Sequence, residues 1–315
     1  MKCIRHIEEI PFEKKSAITI GTFDGIHLAH QKIIGEVVAQ AKEMHGRSVV
    51  VTFEPHPREV VPLMREEVML LTTLQERQEL CEHMGVDWFI VLKFDTAFSQ
   101  QSFRDFYVTY LINGVGVDVV VEGYDHHWGR NREGNIDALM QLGNEFGFTV
   151  VNVDPFKYKN SPVNSSLIRK ELLEGSVTAA AELLGRPYQV QGKVVLGSQR
   201  GRLLGFPTAN VELNSKKKIV PKDGIYFARV THEKEMYFGM VSIGVRPTFQ
   251  TNRQRTIEVN ILDYEKEIYG NTLRIEFLER LRDEVKYDTA EQLVQQMHID
   301  KELSKKLRIE YQRRV

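Results

Sequence analysis

The sequence has few of the features that mark a secreted, membrane-spanning or metal-stapled protein. Its two cysteines, Cys3 and Cys81, form neither a disulfide framework nor a zinc-type spacing. No apolar run approaches the ~18 residues of a transmembrane helix, and the amino terminus lacks a signal-peptide core. A reducing cytoplasm is therefore the expected compartment, and no membrane partner is expected.

An excess of charge of one sign is also missing. Lys and Arg number 42 and Asp and Glu 43, so the formal net charge is −1 and nothing draws the whole chain to nucleic acid. Internal repeats and low-complexity segments are absent. The 315 residues, 42% hydrophobic and 27% charged, are typical of a globular protein with two domains. The composition permits an oligomer but does not indicate one.

The first half alternates between short apolar runs and helical patterns. Strands are predicted at 17–20, 48–53, 87–92, 117–121 and 148–153, with helices over 30–44, 74–84, 102–112 and 135–146. This alternation predicts an α/β fold in which a doubly wound parallel sheet is covered on both faces. Ligands of such sheets bind beyond the carboxyl ends of the strands.

The segment that follows the first predicted strand, residues 21–30, has the parts of a phosphate site. It reads Gly-Thr-Phe-Asp-Gly-Ile-His-Leu-Ala-His, and its glycines permit a tight turn into a helix N-terminus that offers free N–H groups. His27 and His30 are three apart, so both can face one bound group and stabilise a phosphoryl transition state. Two ordinary surface histidines, or a helix cap, are the plain alternative. A zinc site is a weaker one, because no cysteine or carboxylate spacing completes a tetrahedral set. The other histidines considered for it are His6, His56, His126 and His127.

A second loop, residues 197–210, reads Gly-Ser-Gln-Arg-Gly-Arg-Leu-Leu-Gly-Phe-Pro-Thr-Ala-Asn. Its glycines let backbone N–H groups approach phosphate oxygens, and its arginines add charge-assisted hydrogen bonds. Thr208 and Asn210 are hard oxygen donors suited to Mg²⁺. The pattern matches neither the P-loop nor the protein-kinase glycine loop. A glycine-rich hairpin without a ligand is the plain alternative.

Beyond a short helix predicted over 178–187, the pattern changes to strands separated by turns. Strands predicted at 188–195, 224–230, 236–243, 256–262 and 272–277 favour an antiparallel β-barrel. A charged terminal helix over 289–308 would cover the barrel through Leu293, Met297, Leu303 and Leu307. The domain boundary is placed near Gly185, which gives domains 1–185 and 186–315.

Alternation within the strand predicted at 256–262 puts Thr256, Glu258 and Asn260 on one face. Glu258 is the candidate base for activating a hydroxyl group, because a carboxylate within hydrogen-bond reach can accept its proton. A plain solvent-facing strand is the alternative.

These motifs resemble those of two enzyme families. Residues 197–210 resemble the riboflavin kinase signature G-x-x-x-G-R-x-x-G-x-P-T-A-N, and residues 21–30 resemble the G-x-F-D-G-x-H-x-G-H motif of bacterial FAD synthetases. Supporting segments lie at 54–57, 123–129 and 164–169. Over nearly its whole length the chain is therefore similar to the bifunctional riboflavin kinase/FMN adenylyltransferase family.

The resemblance implies two reactions that use ATP and Mg²⁺. The C-terminal domain, an antiparallel barrel with a terminal helix, would transfer the γ-phosphate of ATP to riboflavin and make FMN. The N-terminal nucleotidyltransferase domain would transfer AMP from a second ATP to FMN, making FAD and pyrophosphate. The implied partners are the small molecules ATP, riboflavin and FMN, with flavins as substrates and products.

The resemblance also implies roles for individual residues. The catalytic residues would be Glu258, His27, His30 and Arg169. The nucleotide-binding residues would be Gly21, Phe23, Asp24, Gly25, His56, Asp125, Ser165, Ser166, Gly197, Arg200, Gly201, Arg202, Gly205 and Pro207. Thr208 and Asn210 would hold Mg²⁺, and Arg246 and Phe249 would line the flavin site, although Arg246 fits a surface ion pair equally well.

Four positions depart from the family pattern: Thr22, Ala29, His126 and Asn164. Ala29 replaces a glycine between the two histidines, so its methyl group adds bulk beside the phosphate approach. Two other hypotheses stay open. One is an enzyme with a single working half, of which the adenylyltransferase is the more doubtful. The other is a flavin- or nucleotide-binding regulator without turnover.

Overall fold

The computed structural model describes residues 1–61, 68–124, 134–197, 201, 204–245 and 255–313. The chain divides into two compact units, Met1–Ser165 and Ser166–Val315. Within the described ranges, none of the helices combines the length and the apolar character needed to cross a membrane.

The first unit is built on a six-stranded parallel sheet, as predicted. The strands are β1 (Lys2–Ile4), β2 (Ser16–Ile20), β3 (Arg47–Glu54), β4 (Trp88–Lys93), β5 (Val117–Gly123) and β6 (Thr149–Val153). Their order is β1-β4-β3-β2-β5-β6, so the winding reverses between β2 and β5, where sheets of this kind bind ligands. Strand β1 is absent from the predicted set, because three residues are too few to carry a pattern.

Helices cover both faces of this sheet. They are α1 (Leu28–Glu43), α2 (Pro57–Val60), α3 (Leu74–His83), α4 (Thr96–Ser99), α5 (Phe103–Phe106) and α6 (Ile136–Phe146). Apolar side chains of α1 and α3 pack on one face, while α5 and α6 pack on the other. The predicted helix over 102–112 is in fact α5 followed by a π-helix, Tyr107–Val115. A two-stranded hairpin, β7 (Lys157–Tyr158) with β8 (Ser161–Pro162), follows β6.

The second unit contains a closed antiparallel barrel, again as predicted. Its strands are β9 (Tyr188–Val195), β10 (Ala209–Leu213), β11 (Gly224–His232), β12 (Glu235–Val245), β13 (Arg255–Ile261) and β14 (Thr272–Arg282). Their order is β10-β13-β12-β11-β14-β9, and pairing of β9 with β10 closes the barrel. Strand β10 is missing from the predicted set, because it begins within the glycine- and arginine-rich motif of residues 197–210.

Two helices precede the barrel in the chain: α7 (Ser165–Glu174) and α8 (Val177–Leu184). Helix α8 contacts β9 and β14, and it ends at Gly185, whose φ of 70° is in the left-handed region. The division into units thus falls just after Ser165, the first residue of α7, whereas the pattern of the sequence puts the domain boundary at the end of α8. The boundary near Gly185 stays a prediction.

The terminal helix, α9 (Ala290–Gln312), packs on the outside of the barrel. Leu307 contacts a buried cluster of Phe227, Phe238, Leu262 and Leu278, as predicted for that anchor. Leu303, however, is 41% exposed, so its assignment as an anchor is wrong. The buried face of α9 carries polar residues instead: the Asp300 carboxylate accepts hydrogen bonds from Arg282 Nε and Nη2, at 3.0 and 2.7 Å.

Candidate functional site

The β2–α1 turn lies at the carboxyl end of the central strand. The Gly21 N–H donates to the Val51 carbonyl at 3.0 Å, which fixes the start of the turn. Phe23 and Ile26 then have positive φ, 47° and 35°, and Gly25 has φ 91°. Non-glycine residues adopt such angles only where their surroundings enforce them. Here the enforcement comes from burial, since Phe23 and Ile26 are both in the apolar core under α1.

The structure brings His27 and His30 together. Their rings stack with centroids 3.6 Å apart and planes 19° apart, and the edge of Phe23 meets His30. His27 is the buried N-cap of α1, and its Nδ1 accepts the His30 N–H at 3.4 Å. An accepting Nδ1 carries no proton, so the neutral ring carries its proton on Nε2. His27 therefore caps the helix and also stacks on His30, so the two interpretations of this histidine are compatible.

The Asp24 carboxylate is buried and serves the turn itself. It accepts the N–H groups of Leu71 and Thr72, at 3.1 and 2.9 Å. Thr72 Oγ1 in turn accepts the Gly25 N–H at 2.7 Å. The Asp24 backbone carbonyl accepts the hydroxyl of Ser165, the first residue of α7, at 2.8 Å. Asp24 and Ser165 therefore hold the shape of the 21–25 turn.

Arg77, on α3, is a residue of this region that pattern analysis missed. Its guanidinium donates to the Thr22 carbonyl at 2.7 Å, to Thr52 Oγ1 at 2.9 Å and to Glu54 Oε2 at 3.2 Å. Burial lowers the pKa of Arg77, and the charges of Asp24 and Glu54 oppose that shift. The arginine ties the 21–25 turn to the end of β3. No local signal could have found it, because its partners are distant in sequence.

Three other predicted residues occupy helix starts. His56 is the buried N-cap of α2, and its Nδ1 accepts the Arg58 N–H at 3.2 Å. Ser166 is exposed and Arg169 is half-buried, one turn beyond Ser165 in α7.

In the barrel, strand register brings the predicted kinase residues together. Asn210 on β10 pairs with Glu258 on β13, and the Thr208 hydroxyl donates to Glu258 Oε2 at 3.2 Å. The Asn260 carboxamide donates to the Pro207 carbonyl at 2.8 Å. Ile257 and Val259, between these polar residues, are buried. Glu258, Asn210 and Thr208 therefore form one cluster of oxygen-bearing side chains.

The described glycines of the 197–210 loop allow close approach. A Cβ at Gly197 would overlap the Asn210 carboxamide, and one at Gly201 would overlap the Phe206 carbonyl. The Phe206 N–H donates to the Gly201 carbonyl at 2.8 Å, and Gly205 has φ 79°. The loop is thus folded back on itself beside Thr208.

A pocket of about 220 Å³ opens next to this cluster. It is lined by Val194, Pro207, Thr208, Ala209, Val259, Ile261 and the continuous segment 264–269. Thr208 belongs both to this wall and to the contact with Glu258. The pocket and the cluster of oxygen-bearing side chains therefore adjoin at Thr208.

Glu284 is a second carboxylate that pattern analysis missed. A Cβ at Gly244 would overlap its carboxyl group, which places that group against β12. Burial raises the pKa of Glu284, with smaller contributions in the same direction from the charges of Asp223 and Glu258. The sequence pattern could not reveal Glu284, because it follows β14 whereas Glu258 lies on β13, and only folding brings the two segments together.

Five predicted site residues lie outside the described residues: Asp125, Arg200, Arg202, Arg246 and Phe249. Two histidines of the zinc alternative, His126 and His127, do so as well. In the described part of the chain, no three His, Cys, Asp or Glu side chains gather as a metal site would require.

Two family models match the chain: FAD synthetase over residues 9–167 and riboflavin kinase over residues 184–308. The bifunctional riboflavin kinase/FMN adenylyltransferase of Bacillus subtilis (strain 168) is 37% identical over 92% of each chain. The enzyme of the same name from Listeria monocytogenes is 36% identical over 90% of each chain.

A crystal structure described as a macrolide-efflux protein from Streptococcus pneumoniae is 31% identical. It has a TM-score of 0.89, and the likeness covers 96% of this chain and 98% of that one. Its description differs from the names of the curated relatives, but the two matched domain models account for both halves of the chain. The chain belongs to the bifunctional riboflavin kinase/FMN adenylyltransferase family and carries both of its domains.

Proposed function

We propose that this chain makes FMN from riboflavin and then FAD from FMN, with one ATP consumed at each step. The observation that carries the proposal is the meeting of Thr208, Asn210 and Glu258 in a chain that also matches both family models. The match of both models favours two working halves over a single one and over a regulator without turnover.

In the kinase half, Glu258 is proposed as the general base. It accepts the proton of the ribityl 5′-hydroxyl as the oxygen of that hydroxyl attacks the γ-phosphorus of ATP, and ADP leaves. The Thr208 hydroxyl donates to Glu258 and so holds the carboxylate in one rotamer.

The pocket beside Thr208 is proposed to hold the adenine nucleotide of the kinase reaction. Its walls are apolar at Val194, Val259 and Ile261, which suits an adenine ring, and Thr208 is one of its lining residues. A nucleotide seated there would extend its phosphates past Thr208 towards Glu258. The loop residues Gly197, Gly201, Gly205 and Pro207, with Arg200 and Arg202, are proposed to enclose those phosphates.

Mg²⁺ is proposed to bind at Thr208 and Asn210. The donor set fits the ion, because a hydroxyl, a carboxamide oxygen and a neighbouring carboxylate are hard oxygen ligands. With so few protein ligands, substrate phosphate oxygens and water would complete the shell. When bound, the ion neutralises the charge of the polyphosphate.

In the adenylyltransferase half, His27 and His30 are proposed to bind the α-phosphate of ATP. The His27 ring presents Nε2–H while Nδ1 caps α1, so it can donate to a phosphate oxygen as pyrophosphate leaves and the FMN phosphate attacks. Positioning of this kind needs no covalent enzyme intermediate.

The other assignments rest on the family resemblance. Gly21, Phe23, Gly25 and His56 are proposed to contact this ATP, with Asp24 and Ser165 shaping the turn. The catalytic role of Arg169, the nucleotide roles of Asp125 and Ser166, the flavin roles of Arg246 and Phe249, and a cytoplasmic location stay predictions.

Chromatographic product analysis tests the proposal. Purified protein is supplied with ATP, Mg²⁺ and either riboflavin or FMN. FAD from both reactions is the expected result. FMN alone from riboflavin, with nothing made from FMN, would leave a kinase with a silent first half, and FAD from FMN only would leave the reverse. Flavin binding without any product would favour the regulator.

A further inference from the structure

His232, the last residue of β11, is buried although the hairpin that follows it is exposed. It is 6% exposed, whereas Glu233 and Lys234 lie at the surface. No motif in the sequence includes it. Buried polar side chains are almost always hydrogen-bonded, so the partners of the ring indicate what it does.

Both ring nitrogens have partners. Nδ1 lies 3.1 Å from the Tyr264 hydroxyl, and Nε2 lies 2.9 Å from Asn271 Nδ2. Because a carboxamide nitrogen only donates, Nε2 accepts, and the neutral ring keeps its proton on Nδ1 to donate to Tyr264. The tyrosine ring also stands edge-on to the imidazole, with centroids 6.1 Å apart.

The two partners of His232, Tyr264 and Asn271, lie at the two ends of one wall of the nucleotide pocket. Residues 264–269, which we call the pocket wall, line the pocket without interruption. Tyr264 is its first residue and Asn271 follows two residues after its last. Between them, Gly270 has φ 82° and its N–H donates to the Val194 carbonyl at 2.9 Å. One imidazole therefore joins both ends of the wall.

The wall has some contacts of its own: Tyr237 packs edge-on against Tyr264, and Ile268 is buried while its carbonyl accepts the Asn271 N–H at 3.1 Å. It forms no strand or helix, however, and Glu265, Lys266, Glu267 and Tyr269 are exposed. A segment of this kind must be ordered when ligand binds unless something orders it beforehand, and the cost of ordering lowers affinity.

We propose that His232 is a positioning residue for the riboflavin kinase reaction, which fixes both ends of the pocket wall in the shape that accepts the adenine nucleotide. This inference rests on the proposed assignment of the pocket to ATP. It concerns substrate binding and leaves the proton transfer at Glu258 unaffected.

His232→Leu, which removes both hydrogen bonds, is the first test. Loss of two ordinary hydrogen bonds predicts a KM for ATP about 10-fold higher in the kinase reaction, with kcat changed less than about 2-fold. His232→Asn keeps a polar atom near the place of Nδ1, and His232→Gln keeps one near Nε2, so each is expected to fall between wild type and His232→Leu. Tyr264→Phe added to His232→Leu should change KM little further.

Two controls separate positioning from a general loss of structure. Lys234→Ala in the same hairpin should behave as wild type, and FMN adenylylation by the same preparations should be unchanged. A wild-type KM in His232→Leu would overturn the proposal. An equal fall of kcat and kcat/KM without recovery in the Asn or Gln variant would also overturn it.

A further variant separates failure of the positioning role from failure of the pocket assignment. Ala209→Leu narrows the pocket at a lining residue outside the pocket wall. If it raises the KM for ATP while His232→Leu does not, the pocket stands and the positioning role falls. If it leaves the KM unchanged, the pocket is not the ATP site and the positioning role falls with it. Raised KM in both variants supports both.

Discussion

The two halves of the molecule assemble their candidate site residues in different ways. In the first unit the main residues come from one stretch, 21–30, where a tight turn leads into α1. In the second unit Thr208 and Glu258 are 50 residues apart and meet because β10 pairs with β13. One site is therefore encoded locally, and the other depends on the register of two strands.

This difference determines how each site responds to change. The turn in the first unit is held by its own Asp24 carboxylate, which accepts the Thr72 N–H, and by Arg77, which donates to the Thr22 carbonyl. Its shape is therefore supported by two separate segments of the chain. The barrel site is sensitive to register, because a slip of one residue would turn Glu258 to the opposite face. Whether the two sites act independently can be tested with variants that impair one reaction and leave the other unchanged.

Replacement of Glu258 by Gln should have the largest effect. The variant keeps an oxygen that accepts from Thr208 but removes the base, so riboflavin phosphorylation should fall by about 10²–10⁴-fold. Rates of FMN formation and of FAD formation from FMN are measured on the same protein. Glu212→Gln, at an exposed position of β10, is the matched control. A Glu258→Gln enzyme with full kinase activity would show that another group accepts the proton.

The reciprocal variant in the first unit is His27→Asn. Asparagine is a good N-cap and can still accept the His30 N–H, while the Nε2–H donor is lost. FAD formation from FMN should fall by about 10²–10³-fold, the cost typical of losing a donor to a charged transition state.

The matched control is His45→Asn. His45 is exposed just beyond the end of α1 with φ 50°, an angle that asparagine tolerates. Loss of riboflavin phosphorylation in folded His27→Asn protein would contradict two independent sites.

The same contrast explains how much could be predicted from sequence. The parallel sheet, the barrel and the closeness of His27 to His30 follow from periodicity and motif spacing. The meeting of Glu258 with Asn210 does not, because it depends on the pairing of β13 with β10, a strand that the pattern did not predict. Arg77 and Glu284 could not be found in this way, because burial and contacts between distant segments define them. Pattern analysis also failed on α9, where Asp300 occupies a buried position by pairing with Arg282 while Leu303 faces solvent.

A smaller and more specific effect is expected from Gly197→Ala. The added methyl group would overlap the Asn210 carboxamide, so Asn210 or the loop must move away from its place opposite Glu258. Because the reaction requires accurately placed groups, such a shift of Asn210 or of the loop should lower the kinase kcat/KM by about 10-fold or more.

Gly205→Ala is the comparison for Gly197→Ala. Its Cβ meets nothing within 4 Å, although its φ of 79° makes the substitution strained. Equal losses in both variants would point to backbone strain in the loop rather than to Asn210.

The smallest effect is expected at Asp263, two residues after β13, where the Arg308 guanidinium on α9 donates to the carboxylate at 2.6 Å. That hydrogen bond lowers the pKa of Asp263 below its ordinary value of 3.8, so the pair stabilises the fold above that value and the contribution is lost as the pH falls through the lowered pKa. Because the pair is exposed, it should contribute about 0.5 kcal/mol or less. Asp263→Asn suits the test because Asp263 has φ 55°, which asparagine tolerates. Urea unfolding at pH 7 and pH 3 should show a slightly lower free energy of unfolding at pH 7 and a smaller loss at pH 3, with an unchanged KM for ATP. A raised KM would mean that α9, through Asp263, helps to shape the pocket wall and does more than cover the barrel.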